Sequence, residues 1–271
     1  MENAVNFEKS SFGKRLGSML KVDFRRMLKS KLFYILIACA LLIPIVMTVM
    51  MTMMDGAESV NPQTQEVTII EGPENAWQSI GTLPTDDGEA MGGMDVMAMC
   101  NINMMFMLVS VFICLFISDD FKSGYAKNIF TVRVKKGDYV ISKTVAGFVC
   151  GALMLIAYFI GAMLGGAISG LSFDLGALTM ANIVMCMFAK IFLMLVFVSI
   201  FVVISVAAKQ KAWASICGSL GGGMLLFMMV SMITPLGSTM MNVILCLAGG
   251  ALFAFGLGAV SNTVLKKTSL V

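Results

Sequence analysis

The chain has 271 residues, of which 58% are hydrophobic and only 13% charged, with a net charge of +3 and no histidine. A soluble domain carries about twice that share of charge and needs a polar shell around its core, so composition disfavours a soluble enzyme, a disordered tail and a nucleic-acid binder. The missing histidine removes Ser-His and Cys-His nucleophiles, His-ligated metal sites and imidazole acid–base chemistry.

Residues 1–31 form the first, basic segment. Over 12–31, at 100° per residue, Phe12, Leu16, Met19, Leu20, Phe24 and Met27 share one face. Lys14, Lys21, Arg25 and Lys29 take the other, with Arg15 and Arg26 at the border. This pattern predicts an amphipathic helix lying in the membrane interface, anchored on the anionic leaflet by Arg25, Arg26 and Lys29. It is either a plain surface anchor or a mechanical element that contacts a cytoplasmic partner.

Six apolar runs long enough to cross a bilayer follow, at 32–54, 96–117, 144–168, 181–208, 212–233 and 240–260. The first is too long for a signal-peptide core and lacks a small-residue cleavage pattern, so it is expected to remain as a span. Pro44 in its interior predicts a kink. The fourth and fifth are separated only by Lys209-Gln210-Lys211.

The loops carry an uneven charge. Of the 19 Lys and Arg, 18 lie in residues 1–31, 119–143, 209–211 and the 261–271 tail. The 55–95 loop has none but nine acids, and 169–176 adds Asp174. Basic loops stay on the cytoplasmic side, which predicts six spans with both termini cytoplasmic and an extracellular acidic loop at 55–95. Whether that loop is a folded functional element is left open, with one short strand predicted at 67–70.

The 118–143 segment is cytoplasmic in this topology and much longer than a turn. Phe121, Tyr125, Ile129 and Phe130 recur at helical spacing among charges, so it either forms a short helix with one apolar face or is a solvated loop. Its stretch Asp120-Phe121-Lys122-Ser123-Gly124-Tyr125-Ala126-Lys127-Asn128-Ile129, with Ser142-Lys143 at the entry to the third span, resembles the bacterial ABC transporter permeases of the type-2 exporter family. Phe24-Arg25-Arg26-Met27-Leu28-Lys29-Ser30-Lys31-Leu32-Phe33 resembles that family's entry to its first span. One departure is Tyr125, where the family commonly has Thr.

The resemblance implies an all-α membrane subunit whose 118–143 loop couples to a cytoplasmic ATPase through Asp120, Phe121, Ser123, Gly124, Tyr125, Lys127, Asn128 and Phe130. It implies two ABC ATPase subunits, which bind the ATP and Mg, and a second permease that is either another copy of this chain or a homologue. Independently, no G-x-x-x-x-G-K-[ST] loop occurs in the sequence, so ATP is expected to be hydrolysed by a separate chain. No cofactor or metal is expected here, and the partners beyond the ATPase and second permease are membrane lipids, not nucleic acid.

Other features leave alternatives open. Lys190 is the one charge inside a span, about 15 Å deep at helical rise, and either faces a translocation cavity or dimer seam or snorkels to an interface. The pairs Gly161/Gly165, Gly166/Gly170 and Gly218/Gly222 pack helices either within the subunit or across a seam. The 27 methionines suit an adaptable apolar surface for cargo, or face lipid. The seven cysteines form no CxxC pair and read as small buried hydrophobes.

The function expected is the permease subunit of an ATP-driven exporter moving an amphipathic cargo such as a peptide, antimicrobial, drug or lipid. The alternatives are a membrane sensor or assembly protein that binds through the acidic loop, and a secondary multidrug carrier. The carrier is disfavoured because no span contains a carboxylate. The topology predicts that, with native cysteines replaced, a cysteine at Thr85 reacts with an impermeant thiol reagent applied to intact cells and one at Ser269 does not. Labelling of both, or of Ser269 alone, contradicts it.

Overall fold

The computed structural model describes residues 12–60, 67–70, 72–81, 101–131 and 135–267. Helix α1, Phe12–Lys29, buries Met19, Asp23 and Met27 on one stripe, spaced four residues apart. A single extended residue, Ser30 (φ −75°, ψ 123°), interrupts the helix before α2, Lys31–Met53. A hairpin follows, with β1 (Glu58–Val60) antiparallel to β2 (Val67–Ile69) and Glu58 opposite Ile69. Beyond it lie α3 (Met104–Lys122), α4 (Tyr125–Thr131), α5 (Lys136–Ile168), α6 (Met180–Ala208), α7 (Ala212–Ile233) and α8 (Met240–Lys267).

The protein is an all-α membrane protein apart from that hairpin. Helices α2, α3, α5, α6 and α8 are long and apolar enough to cross a membrane. Helix α7 has 22 residues, about 33 Å at 1.5 Å per residue, against a hydrocarbon core of about 30 Å.

Four helix ends do not coincide with the ends of the apolar runs read in the sequence. The segment expected at 96–117 is helical only from Met104, with turns at 101–103, and 96–100 lie outside the described residues; at its other end it continues to Lys122. Helix α5 starts at Lys136, eight residues before the expected 144, and α8 runs on to Lys267 instead of stopping at 260. Polar residues prolong the helix at Lys122, Lys136 and Lys267. Lys136 Nζ donates to the Leu265 carbonyl at 2.6 Å, so the start of α5 satisfies an open carbonyl in the last turn of α8.

The core lies where α3, α5 and α6 meet. Phe106 and Phe197 approach at 4.7 Å between ring centroids, and Cys150, Met154 and Met194 are fully buried beside them. Helix α2 packs along α5 around Pro44. Pro44 is buried there, and its ring removes the N–H that the preceding turn would use. The α5 backbone comes so close that a Cβ on Gly161 would stand 2.2 Å from the Leu41 carbonyl oxygen, and one on Gly165 3.1 Å from that of Pro44. Gly166 faces Ala76, and Gly218 and Gly222 face Ile204 of α6. All these glycines therefore make contacts within the subunit.

At the opposite end from α1, a 3-10 turn at Ala76–Ser79 is clamped to the loop after α5. Trp77 Nε1 donates to the Phe173 carbonyl at 3.2 Å with the two rings edge to face, and the Ala76 N–H donates to Ser172 O at 3.0 Å. Part of the long acidic loop thus closes over the helix ends.

Forcing a side chain into the α2–α5 contact tests this packing. Gly161→Leu should cost about 3 kcal/mol or more and lower the melting temperature of the purified protein. Gly249→Leu, where nothing lies within 4 Å, should leave it near wild type. Equal melting of the two variants contradicts the packing.

Candidate functional site

Helix α1, the end of α3 and the start of α5 converge on four charged side chains. Lys143 Nζ stands 2.7 Å from Asp23 Oδ1 and 2.7 Å from Asp120 Oδ2, bridging α1 and α3 from α5. Arg26 Nη1 donates to Asp120 Oδ1, its Nη1 lies 4.0 Å from Asp23, and its Nη2 reaches the exposed Asp119 at 3.6 Å. Ser142 Oγ donates to Asp23 Oδ2 at 2.6 Å and Tyr139 Oη to Asp120 Oδ2 at 2.9 Å. All four oxygens of the two carboxylates are thereby occupied. Asp23 and Asp120 are fully buried and Lys143 is 2% exposed.

The two acids and two bases cancel. Removing each ion from water costs several kcal/mol, and the mutual attraction offsets this only when geometry and remaining hydrogen bonds are good, as here. Aromatic faces complete the surroundings. Lys143 Nζ lies 4.1 Å from the Phe116 ring centroid and the Arg26 guanidinium 4.2 Å from that of Tyr125. Burial by itself would lower the Arg26 pKa, but the charge of Asp120 and its hydrogen bond outweigh it and push the value up. Burial, and next the charge of Asp23, raise the Tyr125 phenol above its ordinary value against the pull of Arg26, so that ring remains neutral near pH 7. A second tie, Arg15 Nε to Asp138 Oδ2 at 3.0 Å, also joins α1 to α5.

The loop residues divide by side. Helix α3 ends at Lys122, Gly124 takes a left-handed turn (φ +73°), and α4 starts at Tyr125. Asp120, Phe121 and Ala126 are buried. Phe130 packs edge to face on Tyr139 with centroids 5.3 Å apart, while Tyr125 turns to Arg26. Ser123, Lys127 and Asn128 face outward, with Lys122 and Thr131 beside them. Arg133 is outside the described residues. Of the three expected lipid anchors, Arg25 and Lys29 are exposed, whereas Arg26 is held by Asp120. Sequence reasoning passed over Asp23 and gave Tyr139 and Lys143 no partner. The available signal was an acid at the same spacing as Met19 and Met27 in a basic amphipathic helix.

Lys190 lies elsewhere, near the clamped 76–79 turn. Its side chain is fully buried within the chain. Its Nζ donates to Asn103 Oδ1 at 2.8 Å and Thr234 Oγ1 at 3.1 Å, and Asn103 Nδ2 donates to Ser231 Oγ at 2.9 Å. Thr234 caps the carbonyl end of α7, and the partial negative charge there favours a cation without a carboxylate. Among the described residues no group of three His, Cys, Asp or Glu side chains could hold a metal ion.

The family model described as ABC-2 family transporter protein matches residues 19–225, which include α1 from Met19 onward, the ion cluster and α4. No curated protein and no solved structure matches the chain.

Removing one member of the cluster leaves a buried charge unpaired. Lys143→Met should destabilise the protein by about 3–5 kcal/mol. Adding Asp23→Asn restores charge balance with Arg26 and Asp120 and should recover part of that loss. Thermal melting of the two single variants and the double variant measures the coupling, and strictly additive losses contradict the pairing.

Proposed function

The chain belongs to the ABC-2 family of transporter proteins, and from that premise we propose that it is one of two permease subunits in an ATP-driven exporter served by two separate ATPase chains. It is a multi-pass membrane permease of an ABC transporter, and its family implies partnership with ABC ATPases. The observation that carries the finer reading is the two-sided α4. Its outer side offers Lys127, Asn128 and Thr131 to a partner, while its inner side rests on Tyr139 and Arg26, which bond directly to Asp120.

In this reading α4 is cytoplasmic, on the side that carries 18 of the 19 bases. A force applied to it by the ATPase, which binds the ATP and Mg, passes through Asp120 to Lys143, Asp23 and Arg26, and so to α5 and α1 together. The second permease is another copy or a homologue. The cargo is an amphipathic molecule such as a peptide, an antimicrobial, a drug or a lipid. The support for it is the flexible, polarisable surface of a chain with 27 methionines.

Outward residues of α4 can be changed without touching the cluster. Lys127→Asp with Asn128→Ala should leave the permease as abundant and as heat-resistant as wild type. It should reduce the co-purifying ATPase chain, and cargo-stimulated ATP hydrolysis, at least tenfold. Undiminished co-purification and hydrolysis would overturn the proposal.

A further inference from the structure

A groove opens beside the ion cluster where α1 gives way to α2. Two joined hollows of about 480 and 260 Å³ share Ser30, Phe116 and Asp119. The rim of the groove carries Arg25, Arg26, Lys29 and Lys122. Arg26 is engaged by Asp120, whereas Arg25, Lys29 and Lys122 are exposed and have no ion-pair partner among the described residues. The inner wall is apolar: Leu32 of α2 faces Phe112, Leu115 and Phe116 of α3. Asp119, Phe116, Leu115 and Phe112 descend a single face of α3, spanning seven residues or about 10 Å of axis.

We propose that this groove binds one anionic phospholipid, its phosphate among Arg25, Lys29 and Lys122 and the upper part of an acyl chain against Leu32, Leu115 and Phe116. The amphipathic α1 meets the spanning α2 at Ser30, which puts the basic rim at headgroup depth and the apolar wall below it. With Arg26 balanced by Asp120, the three cations Arg25, Lys29 and Lys122 against the one carboxylate of Asp119 give the rim a surplus of two positive charges, complementary to a phosphodiester. Phosphate attracts Arg and Lys, and a cytoplasmic leaflet is where anionic lipid is concentrated. The volume matches a headgroup with part of a chain. The occupant would also touch the ion cluster, because Phe116 contacts both Lys143 and Arg26. The side of the membrane rests on the orientation proposed above, but the binding itself does not.

The test is lipid retention by the purified permease, read by native mass spectrometry after incubation with equal amounts of palmitoyl-oleoyl phosphatidylglycerol and phosphatidylcholine. Wild type should retain phosphatidylglycerol preferentially. Arg25→Gln with Lys29→Gln and Lys122→Gln should lower that retention at least fivefold. Lys209→Gln with Lys211→Gln and Lys266→Gln, which removes three cations elsewhere, should not change it. Leu115→Trp, which fills the apolar wall and keeps every charge, should lower it as well. The proposal is overturned if wild type shows no preference, if the two triple variants lose lipid equally, or if Leu115→Trp retains phosphatidylglycerol at the wild-type level. None of these readouts needs an ATPase or a cargo, so they stand apart from the transport assignment.

Discussion

Two buried carboxylates, the buried ammonium of Lys143 and the half-buried guanidinium of Arg26 meet where α1, α3 and α5 come together, and each depends on a group from another helix. Asp23 on α1 and Asp120 on α3 share the ammonium of Lys143 on α5. Such a cluster adds little net stability over a well-packed apolar core, but a displaced partner leaves an uncompensated buried charge. Its consequence is register: sliding any one of the three helices by a turn would strand a charge. Helix α1, the end of α3 and the start of α5 are thereby fixed to one another.

The seating of α4 follows from that constraint. Phe121 and Phe130 lie against Tyr139, whose hydroxyl is committed to Asp120, and Tyr125 lies under Arg26. The short helix can hardly move without disturbing the cluster. Away from the cluster the chain is held without a carboxylate–cation pair among the described residues, through Trp77 bonded to the loop after α5, the α2–α5 backbone contact at Gly161, and Lys190 bonded to Asn103 and Thr234. An ionic end and a hydrogen-bonded end suit the proposed subunit, which would be pushed from one side.

Hydropathy made the apolar helices legible, because a bilayer demands about 20 consecutive apolar residues and few other structures do. It did not set their ends. Helix α5 continues through Lys136-Gly137-Asp138-Tyr139, which reads as loop by polarity but is helical, with Asp138 and Tyr139 bonded to partners on α1 and α3. Asp120 and Phe121 were legible from the pattern around Gly124. Asp23 was not, since in a run rich in Lys and Arg one acid looks like part of a solvated face. Lys190 stood out as a charge in a span, and Thr234, from the far end of α7, is a partner that only the fold brings to it. The glycine pairs could equally have packed within or between subunits, and the near contact of Gly161 with Leu41 is a tertiary fact with no local signature.

The account turns on α1 and α4 moving as one body through the transport cycle. Spin labels on cysteines replacing Lys14 of α1 and Thr131 of α4, in the assembled complex lacking native cysteines, give that distance directly by double electron–electron resonance. The account predicts the same Lys14–Thr131 distance without nucleotide and in the ATP-trapped state, while the distance from Thr131 to a label at Met180, the outer start of α6, changes. A Lys14–Thr131 distance that shifts on ATP binding while the Thr131–Met180 distance stays fixed would contradict it.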